Sequence, residues 1–288
     1  MEKNYNFFMD QEKIKNHFNN HKGLEMYFSP EIAEKFAELE QNDKNFRVAE
    51  IVDRTIMQET KDMPDPIYAA ELGGGAHPDR YHEFFNKLLK EPHGHIDWVD
   101  MSPYMLELAE KYISDEKYQD RKEVITFIKK EILEYLQGLE NEKLDLALMK
   151  YTIDHLDNLD KLFELLTLKL KKGGKLIATI GSSSPELKSY STNARFLYNG
   201  EQFPDNEIRI LKDGDNFTVK FFKVSGDPNS GYLEGAETIK YFHSAEKMKQ
   251  LAKSYGFDIF LGDWKNFIKQ DNQGGESMNQ EILVLTKK

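Results

Sequence analysis

The 288-residue chain contains no cysteine. Disulfides, thiolate zinc sites and cysteine nucleophiles are therefore excluded, and a reducing interior suits such a chain. It also lacks any apolar run approaching the roughly 20 residues that a bilayer span needs. Its start, MEKNYNFFMDQEK, has no signal-peptide core. A soluble, cytoplasmic protein with no membrane partner is expected. Basic residues are in the minority, 39 against 50 acidic, for a net charge of −11. Such a surface repels phosphate backbones, so no nucleic-acid partner is expected. With 39% hydrophobic residues and no internal repeat, the chain can bury the core of one large α/β domain with attachments.

What is present alternates. Short apolar runs at 67–72 (IYAAEL), 95–100 (HIDWVD), 123–129 (EVITFIK), 144–150 (LDLALMK) and 175–181 (KLIATIG) read as strands. Helical spacing fills the gaps. Tyr81, Phe84, Phe85, Leu88 and Leu89 form one stripe; Met105, Leu108, Ala109 and Tyr112 form another, behind Ser102 as N-cap and Pro103 at the first helical position. Leu159, Leu162, Phe163 and Leu166 form a third, with Gly173 as the expected stop. Late runs, DIFLGDW and EILVLTK, add two strands. The rhythm predicts a mainly parallel, seven-stranded sheet with helices on both faces. Residues 1–62 read as an N-terminal helical cap. Residues 182–239 read as an antiparallel insertion, with a hairpin signal at Asp213-Gly214 and apolar alternation through Ile208, Ile210, Leu211, Phe217, Val219 and Phe221. The sheet domain then comprises 63–181 and 240–288.

The stretch AAELGGGAHPDR places Gly73, Gly74 and Gly75 on the first strand-to-helix turn, at the sheet edge where open α/β sheets bind ligands. A tight turn without a ligand is the alternative for the glycines alone. Asp100 ends the second strand, where a carboxylate can accept both hydroxyls of a ribose. A dinucleotide would prefer G-x-G-x-x-G, but Pro78 stands at the third glycine position. Glu71 adds negative charge, unwelcome to phosphate and suited to a ligand carrying an amine and a sulfonium. S-adenosylmethionine is such a ligand.

Residues 67–181 resemble the class I (Rossmann-like) S-adenosylmethionine-dependent methyltransferases in Glu71-Leu72-Gly73-Gly74-Gly75, in WVDMSPYMLELAEKY, in LDLALMKYTIDHLDNL and in LKKGGKLIATIG. The resemblance implies a Rossmann-like fold and methyl transfer that leaves S-adenosylhomocysteine. It implies cofactor contacts from Glu71, Gly73, Gly74, Gly75, Asp100, Met101, Glu131, Ile132 and Lys150. Two positions depart from the family pattern: His77 stands where another glycine is common, and Glu131 where an aspartate is usual.

Transfer by in-line displacement needs alignment and dryness more than proton chemistry. Tyr151, Asp154 and His155, after the fourth strand, are the candidate catalytic side chains. His93, His95 and Asp97 read as a Pro-Gly loop entering a strand, and no metal is expected. The loop Lys150-Tyr151-Thr152-Ile153 lacks the Asn/Asp-Pro-Pro-aromatic pattern of amino-group methylation on bases. A small-molecule acceptor on O, N or C is expected, covered by the insertion and the cap, with Tyr5, Phe7 and Phe8 as a lid or as core. The alternatives are a non-catalytic cofactor-binding protein or another transferase of the same cofactor, such as an aminopropyl transferase.

Overall fold

The computed structural model describes residues 25–40, 43–181, 183–191, 193–224, 226–263 and 281–288. Tyr5, Phe7 and Phe8 lie outside them. The strands are β1 (Tyr68–Leu72), β2 (His95–Asp100), β3 (Ile125–Lys129), β4 (Leu144–Met149), β5 (Leu170–Ile180), β6 (Glu186–Lys188), β7 (Ala194–Tyr198), β8 (Ile208–Ile210), β9 (Asn216–Phe222), β10 (Tyr232–Tyr241), β11 (Phe257–Asp263) and β12 (Glu281–Lys287). The helices are α1 (Pro30–Glu40), α2 (Asp43–Glu59), α3 (His82–Leu88), α4 (Pro103–Ile113), α5 (Ile132–Gly138), α6 (Leu159–Lys169) and α7 (Ala245–Ser254).

Seven strands form one sheet in the order β11-β12-β5-β4-β1-β2-β3. Strands β1 to β5 run parallel to one another, and β12 runs antiparallel to both β5 and β11. The period-2 alternation of each strand decides which helices it meets. Ala70, Leu72, Val99, Ala147 and Met149 face a core completed by α5, α6 and α7. Ala69, Ile96, Trp98, Leu146 and Leu148 face the other, completed by α2, α3 and α4. Burying each large side chain there contributes about 1.5–3 kcal/mol, and Trp98, Phe84, Phe85 and Phe163 have no exposed surface. The start of α4 forms as its sequence predicts: Ser102 Oγ accepts from Met105 N at 3.1 Å, and Pro103 opens the helix.

Two expectations are corrected. Helix α6 does not run to Gly173. It ends at Lys169, and β5 starts at once because Leu170 pairs with Leu144 and is fully buried. Gly173, at φ +78°, sits within the strand. The hairpin across Asp213-Gly214 also does not form, since β8 pairs with β6 while β9 lies between β7 and β10. The turn's groups are engaged elsewhere: the Asp213 carboxylate accepts from Ser244 N and Ser244 Oγ at the start of α7, and Gly214 N donates to Phe242 O. Ile208 and Ile210 are consequently exposed, at 50% and 63%. Phe217, Val219 and Phe221 share one face of β9 with Thr238 and Lys240 of β10. That face turns toward the loop after β4.

Candidate active site

The chain's excursions reverse direction between β4 and β1, which opens a crevice at the carboxyl ends of those strands. The glycine turn lies there. Gly73 and Gly75 have φ of +77° and +62°, a region that L side chains rarely adopt. A Cβ at Gly74 would lie 2.3 Å from Trp98 Nε1, whose N–H donates to Gly75 O at 2.9 Å. A Cβ at Gly75 would meet nothing within 4 Å. A Cβ at Gly73 would lie 2.4 Å from Thr152 Cγ2, so it is at Gly75 that the turn presents bare backbone to open space. Its three amides point inward, Gly73 and Gly74 donating to Val99 O and Gly75 to Asp100 Oδ2 at 2.9 Å. They are not arranged as a phosphate cradle.

Asp100 is held from two sides, since its Oδ1 accepts from Ser102 N at 2.8 Å. Lys130 N donates to Asp100 O. That bond draws the end of β3 alongside, so half-buried Glu131 and buried Ile132, which open α5, come to the same edge as Met101. The structure thus gathers Gly73, Gly74, Gly75, Asp100, Met101, Glu131 and Ile132.

Glu71 lies beneath the turn with no exposed surface. Its Oε1 accepts from Lys150 N at 3.2 Å, tying the ends of β1 and β4 together. Burial raises its pKa to about 7, against the lowering effects of Lys150 and of the nearby Tyr81 phenol. Glu71 Oε2 and the Tyr81 hydroxyl are both buried without a hydrogen-bond partner. Lys150 Nζ stands 5.7 Å from the centre of the Tyr81 ring.

The three candidate catalytic side chains stand differently. Tyr151, at φ +60°, donates its amide to Thr179 Oγ1, and its ring packs on the apolar cluster beside α2 and α3. The Asp154 carboxylate accepts from Gly181 N at 2.9 Å and pairs with Lys240 Nζ at 3.4 Å. His155 Nδ1 lies 3.1 Å from Ile239 O and 3.3 Å from Thr238 Oγ1. Because the carbonyl can only accept, that nitrogen carries the proton and Nε2 keeps a lone pair. The His155 pKa falls to about 4 through burial and the adjacent Lys240 charge, so the imidazole is neutral at physiological pH. His243 Nε2, 2.8 Å from Leu156 O, adds another tie. Strand β10 and its continuation therefore clamp the loop after β4.

Sequence reasoning had no role for the links made by α1. Its Ala33 and Ala37 pack on Ala76 and Met105, His77 Nε2 meets Ala37 O at 2.9 Å, and Ser102 Oγ donates to Tyr27 O. Phe36 meets Phe221 of β9 at 4.9 Å between ring centroids. Thus α1 touches both the glycine turn and the insertion. A short, Ala-rich face on α1 was the signal for close packing, but a pattern on one helix does not name its partner. At the other end of the sheet, His93 pairs with Glu91 and His95 with Asp97, and among the described residues no group of three potential ligands could hold a metal. Also among the described residues, no helix is long and apolar enough to cross a membrane.

The family described as "Methyltransferase domain" matches residues 78–223, about half of the chain. Phosphoethanolamine N-methyltransferase 2 of Caenorhabditis elegans is 27% identical over 192 residues, covering 62% of this chain. The chain spans about 40% of the length of that curated relative. Among solved structures, an S-adenosylmethionine-dependent methyltransferase of Clostridium acetobutylicum has a TM-score of 0.51 at 17% identity, covering 88% of this chain and 98% of its own. A protein of Pyrococcus horikoshii has a TM-score of 0.51 at 15% identity, covering 86% and 94%. These two likenesses are of fold.

Proposed function

The chain belongs to the methyltransferase-domain family, and from that premise we propose that it transfers a methyl group from S-adenosylmethionine to a small-molecule acceptor, releasing S-adenosylhomocysteine. The observation that carries this reading is the bare backbone of Gly75 facing open space beside the doubly held carboxylate of Asp100. An ionised carboxylate offers about four acceptor sites. The backbone amides of Gly75 and Ser102 fix the two Asp100 oxygens at the sheet edge, where a carboxylate can accept ribose hydroxyls. Met101 and Ile132 supply apolar walls for adenine, and Glu131 an acceptor for its amino group. Lys150 and Glu71 place charge under the opposite end of the crevice. The cofactor brings its own activation, as a methyl group on a positively charged sulfur.

The acceptor then lies between the loop after β4 and the inward face of β9 and β10, with α1 closing the side. His155 holds a neutral lone pair there and is a weak base at pH 7. It suits an acceptor that needs orientation more than proton removal, and so favours nitrogen over an alcohol oxygen. The named activity of the C. elegans relative is also on nitrogen.

Calorimetry with the purified protein tests the cofactor assignment. Saturable, micromolar binding of S-adenosylmethionine and of its demethylated product is expected; a folded protein that binds neither refutes it. Incubation with methyl-labelled cofactor and a panel of small amines, ethanolamine phosphate among them, tests the acceptor class.

A further inference from the structure

Two polar atoms under the glycine turn stand out because each is buried and finds no partner among the surrounding groups, while the phenol and the carboxylate act on one another: Glu71 Oε2 and the Tyr81 hydroxyl oxygen. A buried polar group left unpaired is costly, so each of the two gains by bonding the other. The phenol sits in a closed floor. Tyr81 has no exposed surface, its ring lies 6.0 Å from that of Trp98, and Trp98 supports the turn through Gly75 O.

We propose that Tyr81 is a positioning residue for Glu71: its hydroxyl holds that carboxylate ionised beneath the turn, so that the cationic end of the cofactor meets fixed negative charge. The inference rests on the cofactor reading above. Every charged group near the pair acts in a stated direction. Lys150, from the loop after β4, favours the ionised carboxylate. Burial first, then Glu71 and Asp53 of α2, keep the phenol protonated, hence a donor, while the neighbouring Arg80 opposes them. A phenol that cannot ionise, beside a carboxylate with one oxygen unfilled, has one useful hydrogen bond to make. Closing that bond leaves the negative charge in place when a sulfonium and an ammonium arrive. A thioether product carries one positive charge fewer and gains less from it, so the pair favours cofactor over product.

The test is Tyr81→Phe, which removes only the hydroxyl, in the full chain labelled with 13C at glutamate carboxyls. Without ligand, the Glu71 titration midpoint is expected to rise by about half a pH unit or more. At pH 7, affinity for S-adenosylmethionine is expected to fall about threefold, and affinity for the product to fall less. The pH profile of cofactor binding should move with the midpoint. An unmoved midpoint and an unmoved profile overturn the proposal, even if the variant differs in stability, because a packing role alone would give that result. A moved midpoint in a protein that binds no cofactor refutes the cofactor reading and still supports the hold of Tyr81 on Glu71.

Discussion

The two ends of the same parallel strands treat buried acids in opposite ways. Toward the amino end, Asp97 accepts hydrogen bonds from Tyr68 Oη at 2.8 Å, Tyr135 Oη at 2.7 Å and His95 Nε2 at 3.0 Å. Its neighbour Asp145 accepts from Tyr68 N and from Lys171 Nζ. Burial alone would raise the Asp97 pKa, but the bonds from His95, Tyr135 and Tyr68 outweigh it and bring the pKa below the usual aspartate value. At the carboxyl end, Glu71 is filled less completely: burial outweighs Lys150, its backbone amide and the Tyr81 phenol, and the pKa is raised to about 7. A filled buried acid stabilises the fold. An unfilled one costs stability and can respond to a ligand. That difference separates scaffold from site within a single sheet.

The strongest way to break the contrast is Asp97→Ala. Three donors, Tyr135 buried and Tyr68 and His95 half-buried, lose their acceptor, and destabilisation of about 3 kcal/mol is expected. Urea denaturation measures it; cofactor affinity of the molecules that stay folded should not change.

Asp100→Ala should do the reverse. Charge-assisted hydrogen bonds contribute about 1.5–3 kcal/mol, so cofactor affinity should weaken at least tenfold. Calorimetry that shows wild-type affinity would place the ribose elsewhere.

Stability against pH sharpens the comparison, because the two acids have opposite signs. Glu71 has a raised pKa, so its contribution is complete below the ordinary value of 4.5 and is lost as pH rises through about 7. Asp97 has a lowered pKa; its contribution is complete above the ordinary 3.8 and is lost as pH falls. Asp53 behaves as Glu71 does, with a pKa of about 6 imposed by burial. Glu71→Gln should therefore gain on the wild type by about 1 kcal/mol per pH unit between pH 5 and 7. Denaturation midpoints for both proteins across that range check it, and a constant gap would show that Glu71 titrates normally.

The smallest effect on the cofactor is expected from Lys240→Met, which removes the charge paired with Asp154. Cofactor affinity should stay within about twofold, while turnover of an identified acceptor falls. Equal loss of both would show that β10 serves the cofactor side as well. The same substitution relieves the charge that depresses the His155 pKa, so a rise in the imidazole midpoint, followed by NMR, accompanies it.

Local chemistry along the chain determined the alternating α/β order, the seven strands, the N-cap at Ser102 and the edge at which the glycine turn and Asp100 lie, because periodicity and turn residues act within a few positions of themselves. Only tertiary structure decided the rest. The partner of β9 came from β7 and β10, which outcompeted the local turn once Asp213 was committed to Ser244. The charge state of Glu71 depends on Tyr81 and Lys150, and that of His155 on Lys240, 85 positions further along the chain. The contacts of α1 with Ala76, His77 and Phe221 likewise join segments that share no local pattern. Burial and long-range pairing set these properties, and neither exists until the chain has folded.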